Sequence, residues 1–211
     1  MVTMALQKPL LSLKDLTVQR GELPLCLGVN LDLAIGDICH IVGDNGTGKT
    51  TLLMQLAGLL PILQGEVVYQ GLKSIPIQPL FVSHQLGIHP NLTVKQNLTF
   101  LLNLYGMSPT AADINEALDW VGLQGFEMLS SSHLSAGQTR RVTLARLKLM
   151  TAEMTPLWLL DEPMTALDVA MVAKMEAQIL AFSKAGGTVL MTSHQAVKVA
   201  SRHLDLSEFM V

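Results

Sequence analysis

Residues 38–51 read Ile38-Cys39-His40-Ile41-Val42-Gly43-Asp44-Asn45-Gly46-Thr47-Gly48-Lys49-Thr50-Thr51. The apolar run predicts a short buried strand over 38–42. The glycines predict a tight turn from Gly43, and the leucine-rich stretch after it a helix over 49–60. Gly43 to Thr50 fit G-x-x-x-x-G-K-[ST] in the strand–turn–helix setting that gives this pattern meaning. A triphosphate must be wrapped closely by backbone N–H groups, which excludes side chains and calls for glycine. The helix that follows points its positive end at the phosphates. Lys49 places a cation on the β- and γ-phosphates, and the Thr50 hydroxyl is a ligand for Mg²⁺. The turn as a whole, Gly43, Asp44, Asn45, Gly46, Thr47, Gly48, Lys49, Thr50 and Thr51, is the expected phosphate site.

Outward from this turn the pattern is α/β. Residues 10–18 and 25–33 alternate apolar with polar and predict two strands joined at Arg20-Gly21; further strands are expected over 66–69 and 80–83. Thr93 with Gln96 makes a capping box that opens a helix ending at Gly106, and Ser108-Pro109 reads as the cap and first position of a second, ending near Gly122. A third helix follows Ser135. The last third returns to a strand over 157–160, a helix over 166–185 stopped by Gly186-Gly187, and a strand over 188–192. We expect one domain over 1–211, an α/β core with a helical lobe inserted at about 90–150.

Composition narrows the partners. With 211 residues, 49% hydrophobic and 15% charged, the chain can bury a large core. Its mean hydropathy of +0.40 fits either an apolar surface that a partner covers or a leucine-rich core. A net charge of −3 without a basic tail argues against nucleic acid as the main ligand. Cys26 and Cys39 form no C-x-x-C pair and read as reduced core residues of a cytosolic protein. The N-terminal residues lack the pattern of a secretory signal. The longest apolar tract, 52–63, is broken by Gln55, Gly58 and Pro61 and falls short of the ~20 residues a bilayer requires. Work at a membrane would need another chain to bring it there.

A second chemical cluster lies in the last third. Leu157-Trp158-Leu159-Leu160 ends in Asp161-Glu162-Pro163, two acids at the carboxyl end of a buried strand. There Asp161 reaches the metal through water and Glu162 polarises the attacking water. His194 follows the strand over 188–192 and is expected at the same edge.

Leu134-Ser135-Ala136-Gly137-Gln138, followed by Thr139-Arg140-Arg141, completes an ordered set. With it the chain resembles the nucleotide-binding domain of ATP-binding-cassette proteins over nearly its whole length. The Walker A turn is at 43–51, the signature at 134–138, the Walker B strand at 157–162, the D-loop at Ala166-Leu167-Asp168 and the switch histidine at His194. The resemblance implies a P-loop cassette: a mostly parallel core sheet, an antiparallel β subdomain and an inserted helical subdomain. It implies that Ser135, Gly137 and Gln138 meet the γ-phosphate held by a second copy, so that two chains build each site. Glu162 is then the general base, with His194 and Asp168 aligning water and γ-phosphate across the interface while Lys49 supplies its charge to the phosphates.

Three positions depart from the family pattern. Ala136 stands where glycine is usual, which is harmless unless positive φ is required. The Q-loop glutamine position falls on His84, with Gln85 next; an amide oxygen suits a hard cation, which favours Gln85 as metal ligand beside Thr50 and Asp161. Arg20 stands where an aromatic usually stacks on adenine, and reads equally as a stacking guanidinium or a solvated turn residue. Among cassette proteins, Ser83-His84-Gln85-Leu86-Gly87-Ile88 and Thr192-Ser193-His194-Gln195 most resemble the ATP-binding subunits of cytochrome c maturation systems. That resemblance implies MgATP hydrolysis at the cytoplasmic face of the inner membrane, coupled through integral membrane subunits to haem handling. The membrane subunit is expected to dock around 86–102. This chain has no C-x-x-C-H and no Cys-Pro pair, so haem is not expected to bind it directly. The alternatives are the ATPase of another small exporter, a soluble cassette clamp, and a nucleotide-binding scaffold that does not hydrolyse.

Overall fold

A computed structural model describes residues 9–69 and 78–211; residues 1–8, part of the stretch read for a secretory signal, lie outside them. In chain order the elements are β1 (Leu11–Arg20), β2 (Leu23–Leu33), β3 (Ile38–Val42), α1 (Lys49–Leu56), β4 (Glu66–Tyr69), β5 (Leu80–Val82), α2 (Val94–Asn103), α3 (Ala111–Trp120), α4 (Ala136–Ala145), β6 (Leu157–Leu160), α5 (Val169–Lys184), β7 (Thr188–Thr192) and β8 (Arg202–Asp205).

The strands form two sheets. One is antiparallel in the order β2-β1-β4, with Leu11 opposite both Leu33 and Tyr69. The other is parallel in the order β5-β6-β7-β3-β8. This is the expected α/β cassette. All five parallel strands point the same way, so the residues after β3, β5, β6 and β7 emerge along one edge, where open α/β sheets carry their sites.

Burial on both faces explains the unbroken apolar strands. Along β6 the side chains alternate between two cores. Trp158 and Leu160 pack with Leu98, Leu118 and Val142 of α2, α3 and α4. Leu157 and Leu159 pack with Leu52 of α1 and with Leu13 and Leu16 of the antiparallel sheet. Trp158 is fully buried and stacks on Phe182 of α5, ring centroids 3.7 Å apart. Fixing β6 in this way fixes the two acids that follow it.

Several element ends differ from expectation. Helix α1 stops at Leu56 rather than residue 60, because Gly58 is left-handed (φ 73°) and the Gln55 amide turns to the Pro61 carbonyl at 3.2 Å. Helix α3 is capped by Thr110, not Ser108: its hydroxyl accepts from the Asp113 amide while Asp113 accepts from the Thr110 amide. Helix α5 begins at Val169 rather than 166, since Asp168 takes the cap. Strand β8 was not foreseen, its Arg202-His203-Leu204-Asp205 giving no apolar run.

The cysteines are free and buried. Burial pushes the Cys39 thiol up to about 12, with Asp37 adding to the effect. The Cys26 thiol, also raised by burial, donates to the Thr47 carbonyl at 3.1 Å, beneath the phosphate turn. Among the described residues no helix is long and apolar enough to cross a membrane.

Candidate active site

The phosphate turn joins β3 to α1 and is held by its own backbone. A Cβ at Gly48 (φ 98°) would lie 3.0 Å from Val18 Cγ1 and 3.3 Å from Leu25 Cδ1, so only glycine lets the turn pack on the antiparallel sheet. Gly43 (φ 136°) would put a Cβ 2.9 Å from Thr47 Oγ1, a hydroxyl that donates to the Asp44 carbonyl at 3.0 Å. Helix α1 has no side-chain cap at Gly48, whereas α2, α3, α4 and α5 are capped by Thr93, Thr110, Ser135 and Asp168. Its first amides are therefore left for an anion. Lys49 lays its ammonium across the turn, donating to the Gly43 and Asp44 carbonyls at 2.6 and 2.7 Å.

A cleft of about 420 Å³ opens over this turn, lined by Asn45, Gly46 and Thr51 on one side and by Arg20, Leu23 and Leu25 on the other; Glu162 closes its end. Arg20 lines this cleft beside Leu23, which is 65% exposed.

The acids follow β6. The Asp161 amide donates to the Val82 carbonyl at 2.7 Å, extending the pairing of β5 and β6 by one residue. Asp161 is buried and accepts from Thr50 Oγ1 at 3.0 and 3.1 Å and from Thr192 Oγ1 at 2.8 Å. Glu162 leaves the strand in a left-handed conformation (φ 51°), uncommon for a residue with a side chain. Its amide donates to Thr192 Oγ1 at 2.9 Å, and its carbonyl accepts from the Arg140 guanidinium. The carboxylate is aimed from two sides: His194 Nε2 is 2.7 Å from Oε1, and Thr165 Oγ1 donates to Oε2 at 2.9 Å.

The Q-loop follows β5. Ser83 Oγ accepts from the Gln85 amide at 3.0 Å, and the turn so formed sends His84 to the site: its Nδ1 lies 3.4 Å from Asp161 Oδ2. Among the described residues no hydrogen bond joins the Gln85 side chain to Asp161 or Thr50. Of the two candidates for the Q-loop position, the ungapped one, His84, is the one that lies beside the carboxylate. Thr50 and Asp161 fit a hard cation, as a hydroxyl and a carboxylate converge beside the turn. Among the described residues no three His, Cys, Asp or Glu side chains form a metal cage by themselves, so the remaining ligands would be phosphate and water.

The signature residues open α4. Ser135 caps it reciprocally with Gln138, at 3.2 and 2.9 Å. Ala136 is not among the residues with positive φ, so its methyl causes no strain. Gly137 faces the Ala166 carbonyl, 3.8 Å from where its Cβ would be. Ser135, Gly137 and Gln138 are exposed or half-buried and line no part of the cleft over the phosphate turn of their own chain. Asp168 caps α5, accepting from the Met171 amide at 2.8 Å, and pairs with Arg141 of α4. The Met171 amide first, with the Arg141 charge, holds its carboxyl below the usual range.

Three further residues belong to this arrangement. Thr192 bridges both acids. Arg140, on α4 two residues beyond Gln138, holds the Glu162 carbonyl from within a buried setting. His40 of β3 is buried, and its Nε2 lies 3.1 Å from the Ser193 carbonyl, which ties the strand before the phosphate turn to the residue before His194. In the sequence, Arg140 and Thr192 were visible only within the wording of motifs, with no role of their own, and His40 only as a strand residue.

A phosphate turn, a Thr50–Asp161 pair and a Glu162–His194 pair on one edge of a parallel sheet define a nucleotide-hydrolysing cassette. The family model described as ABC transporter matches residues 26–165. The cytochrome c biogenesis ATP-binding export protein CcmA of Vibrio cholerae serotype O1 is 42% identical over 192 residues, covering 88% of this chain and 91% of its own. The protein of the same name from Escherichia coli (strain K12) is 40% identical over 197 residues, covering 90% and 92%. Among solved structures, an ABC transporter ATP-binding protein from Pyrococcus furiosus superposes with a TM-score of 0.82 at 26% identity, covering 95% of this chain and 99% of that one. An ATP-binding cassette solved as a dimer in a post-hydrolysis state, bound to ADP and Pi, gives 0.77 at 26% identity, covering 92% and 93%. The chain belongs to the ABC transporter family of ATPases, with the cytochrome c biogenesis ATP-binding export proteins.

Proposed function

We propose that this chain is the ATPase subunit of a membrane complex that exports haem or releases a haem-loaded chaperone during cytochrome c biogenesis. It acts as a peripheral subunit on the cytoplasmic face of the inner membrane, in a nucleotide-sandwich dimer with a second copy. The observation that carries the hydrolytic reading is the aim of Glu162, held between His194 at 2.7 Å and Thr165 at 2.9 Å at the end of the cleft over the phosphate turn.

In this reading the turn from Gly43 to Thr51 wraps the phosphates, and Lys49 neutralises them. Mg²⁺, when bound, screens phosphate charge and orients the nucleotide. Thr50 and Asp161 hold it, the Asp161 carboxylate kept in place by Thr192. Arg20 with Leu23 and Leu25 receives the base. Glu162 accepts the proton of the attacking water, and the His194 imidazole steers the carboxylate and the γ-phosphate. Ser135, Gly137 and Gln138 of the second copy, at the start of a helix, grip the γ-phosphate from the other side. Asp168 keeps α5 in register with α4 and, through Arg141, with the signature.

The membrane subunits dock on the helical lobe, residues about 90–150. Two adjoining apolar hollows share Phe100 there, one floored by Ile88 and Leu92 and the other walled by Met128. Phe100 is 52% and Met128 76% exposed, and they supply the apolar contact surface of these hollows.

Replacing Glu162 with Gln should leave ATP binding intact, let an ATP-bound dimer accumulate and slow turnover by ~10²–10⁴. Turnover at the wild-type rate would remove Glu162 as general base. For the pathway, deleting the gene should abolish c-type cytochromes; normal haem-stained cytochromes in the deletion strain would remove the haem reading and leave the ATPase.

A further inference from the structure

We propose that His40 is a positioning residue for hydrolysis: from within β3 it holds the Ser193 peptide so that the next residue, His194, meets Glu162. This rests on the ATPase reading of the same site and adds to it the group that aims the histidine.

The contact starts from strand register. β3 and β7 are parallel, with His40 beside Met191 and Ile41 beside Thr192, where β7 ends. Ser193 is thus the first residue beyond the ladder. The His40 side chain reaches forward to it, Nε2 lying 3.1 Å from the Ser193 carbonyl. A carbonyl only accepts, so the ring donates from Nε2 and is the Nε2–H tautomer. His40 is 4% exposed and has His203 of β8 as its other register neighbour, ring centroids 5.7 Å apart, so packing fixes its own place. His194 is in the opposite condition. Its side chain is 59% exposed while its Nε2 sits 2.7 Å from Glu162 Oε1, so the backbone before it does most of the aiming.

The surroundings leave His40 most of that task. An open cavity of about 390 Å³ is lined by Gly43 and Asp44 of the phosphate turn and by His194 and Gln195, with His40 in its wall. Close packing therefore does not join the two loops there. Thr192 Oγ1 holds the acids, and Ser193 Oγ accepts from the Gln195 amide at 3.0 Å, which closes the turn from within. Rotation of the 193–194 peptide against β3 is what remains, and the His40 donor stops it. Misplacing a reacting group by ~1 Å can cost on the order of 10²-fold in rate. A merely structural role would act elsewhere. β3 runs straight into Gly43, so a loosened strand would disturb the phosphate turn and weaken nucleotide binding.

The test uses the full chain labelled with ¹⁵N-histidine, read by long-range ¹H–¹⁵N NMR at about pH 7.5, together with steady-state ATPase kinetics. Burial holds the His40 pKa below the ordinary histidine value, so the ring is neutral there. The wild type should show His40 as the Nε2–H tautomer; the Nδ1–H tautomer would overturn the inference with no substitution made. His40→Leu should move the His194 ring resonances and lower kcat ~10-fold with KM for MgATP unchanged. His40→Gln, which restores a donor, should recover most of the rate. The residual rate of His194→Ala should fall no further when His40→Leu is added, because the group that His40 aims is gone. A raised KM with kcat unchanged, equal losses in both backgrounds, or unmoved His194 resonances would overturn the inference and leave the ATPase reading standing. A wild type that binds MgATP without turning it over would sink the ATPase reading and this role of His40 with it, whatever the tautomer.

Discussion

The Thr192 hydroxyl donates to Asp161 and accepts from the Glu162 amide, so one side chain sets both adjacent acids together. Arg140 holds Glu162 from the far side, and its burial lowers the guanidinium's hold on its proton without discharging it. The partners in these bonds are 30 and 22 residues apart in sequence, and His40 and Ser193 are 153 apart. That is why the motif residues were legible and their supports were not: a motif is a run of neighbours, while a support is a neighbour only after folding. The same limit governed the Q-loop, where amide chemistry favoured Gln85 and the turn closed by Ser83 brings the His84 ring to 3.4 Å from the Asp161 carboxylate. His40 yields a pH prediction. Its pKa is lowered, chiefly by burial and further by His203 and Lys49, against the pull of the Ser193 carbonyl. The unfolded chain therefore takes up a proton first as pH falls. The stability it contributes is complete above the ordinary histidine value of about 6.5 and is lost as pH falls through that value toward the folded one. Melting temperature measured from pH 7.5 to 5 should fall less in His40→Gln, which keeps a donor to Ser193, than in the wild type; identical slopes would refute the assignment.

At the scale of elements, the caps were the most readable feature. Thr93 with Gln96 stands as the sequence indicated, and Ser135 caps α4 where a helix was expected to follow it. Thr110 displaced Ser108 because Asp113 lies at the reciprocal spacing, a signal present in the sequence but outweighed there by Pro109. Strand β8 escaped notice because an edge strand with charged residues carries neither alternation nor an apolar run. Helix α5 begins where Asp168 caps it, and the same carboxylate meets Arg141 of α4. Asp168→Ala should lower the melting temperature at pH 7, and Asp168→Asn, which keeps a cap oxygen, should lower it less. Because the folded carboxyl is held below its usual range, the difference between wild type and Asp168→Ala is full above about pH 4 and fades as pH falls through the folded value. A difference that grows on acidification would contradict this account of α5.

For the molecule as a whole, one topological fact does most to explain function: four of the five parallel strands deliver Gly43, His84, Asp161 and His194 to the same edge. The alternation of motifs with buried strands made that edge foreseeable. What the sequence left open was the surface, since apolar residues such as Leu86, Ile88 and Leu92 in the expected docking stretch read more often as plain core. In the structure Leu98 and Leu102 are buried while Phe100 and Leu104 are more than half exposed, so one helix serves both core and surface. Phe100→Asp should reduce co-purification with integral membrane subunits and leave the ATPase rate of the isolated chain unchanged; undiminished capture would move the docking face elsewhere. The signature residues Ser135 and Gly137 lie outside the cleft of their own phosphate turn, which is the arrangement a two-chain site requires. Complementation between disabled chains tests this most directly. Lys49→Ala and Ser135→Arg should each be inactive alone. Mixed in equal amounts with ATP they should recover about a quarter of wild-type activity, because half of the dimers are mixed and each mixed dimer restores one of its two sites. No recovery from two variants that fold and associate, or full activity from Ser135→Arg alone, would contradict a γ-phosphate held by two chains.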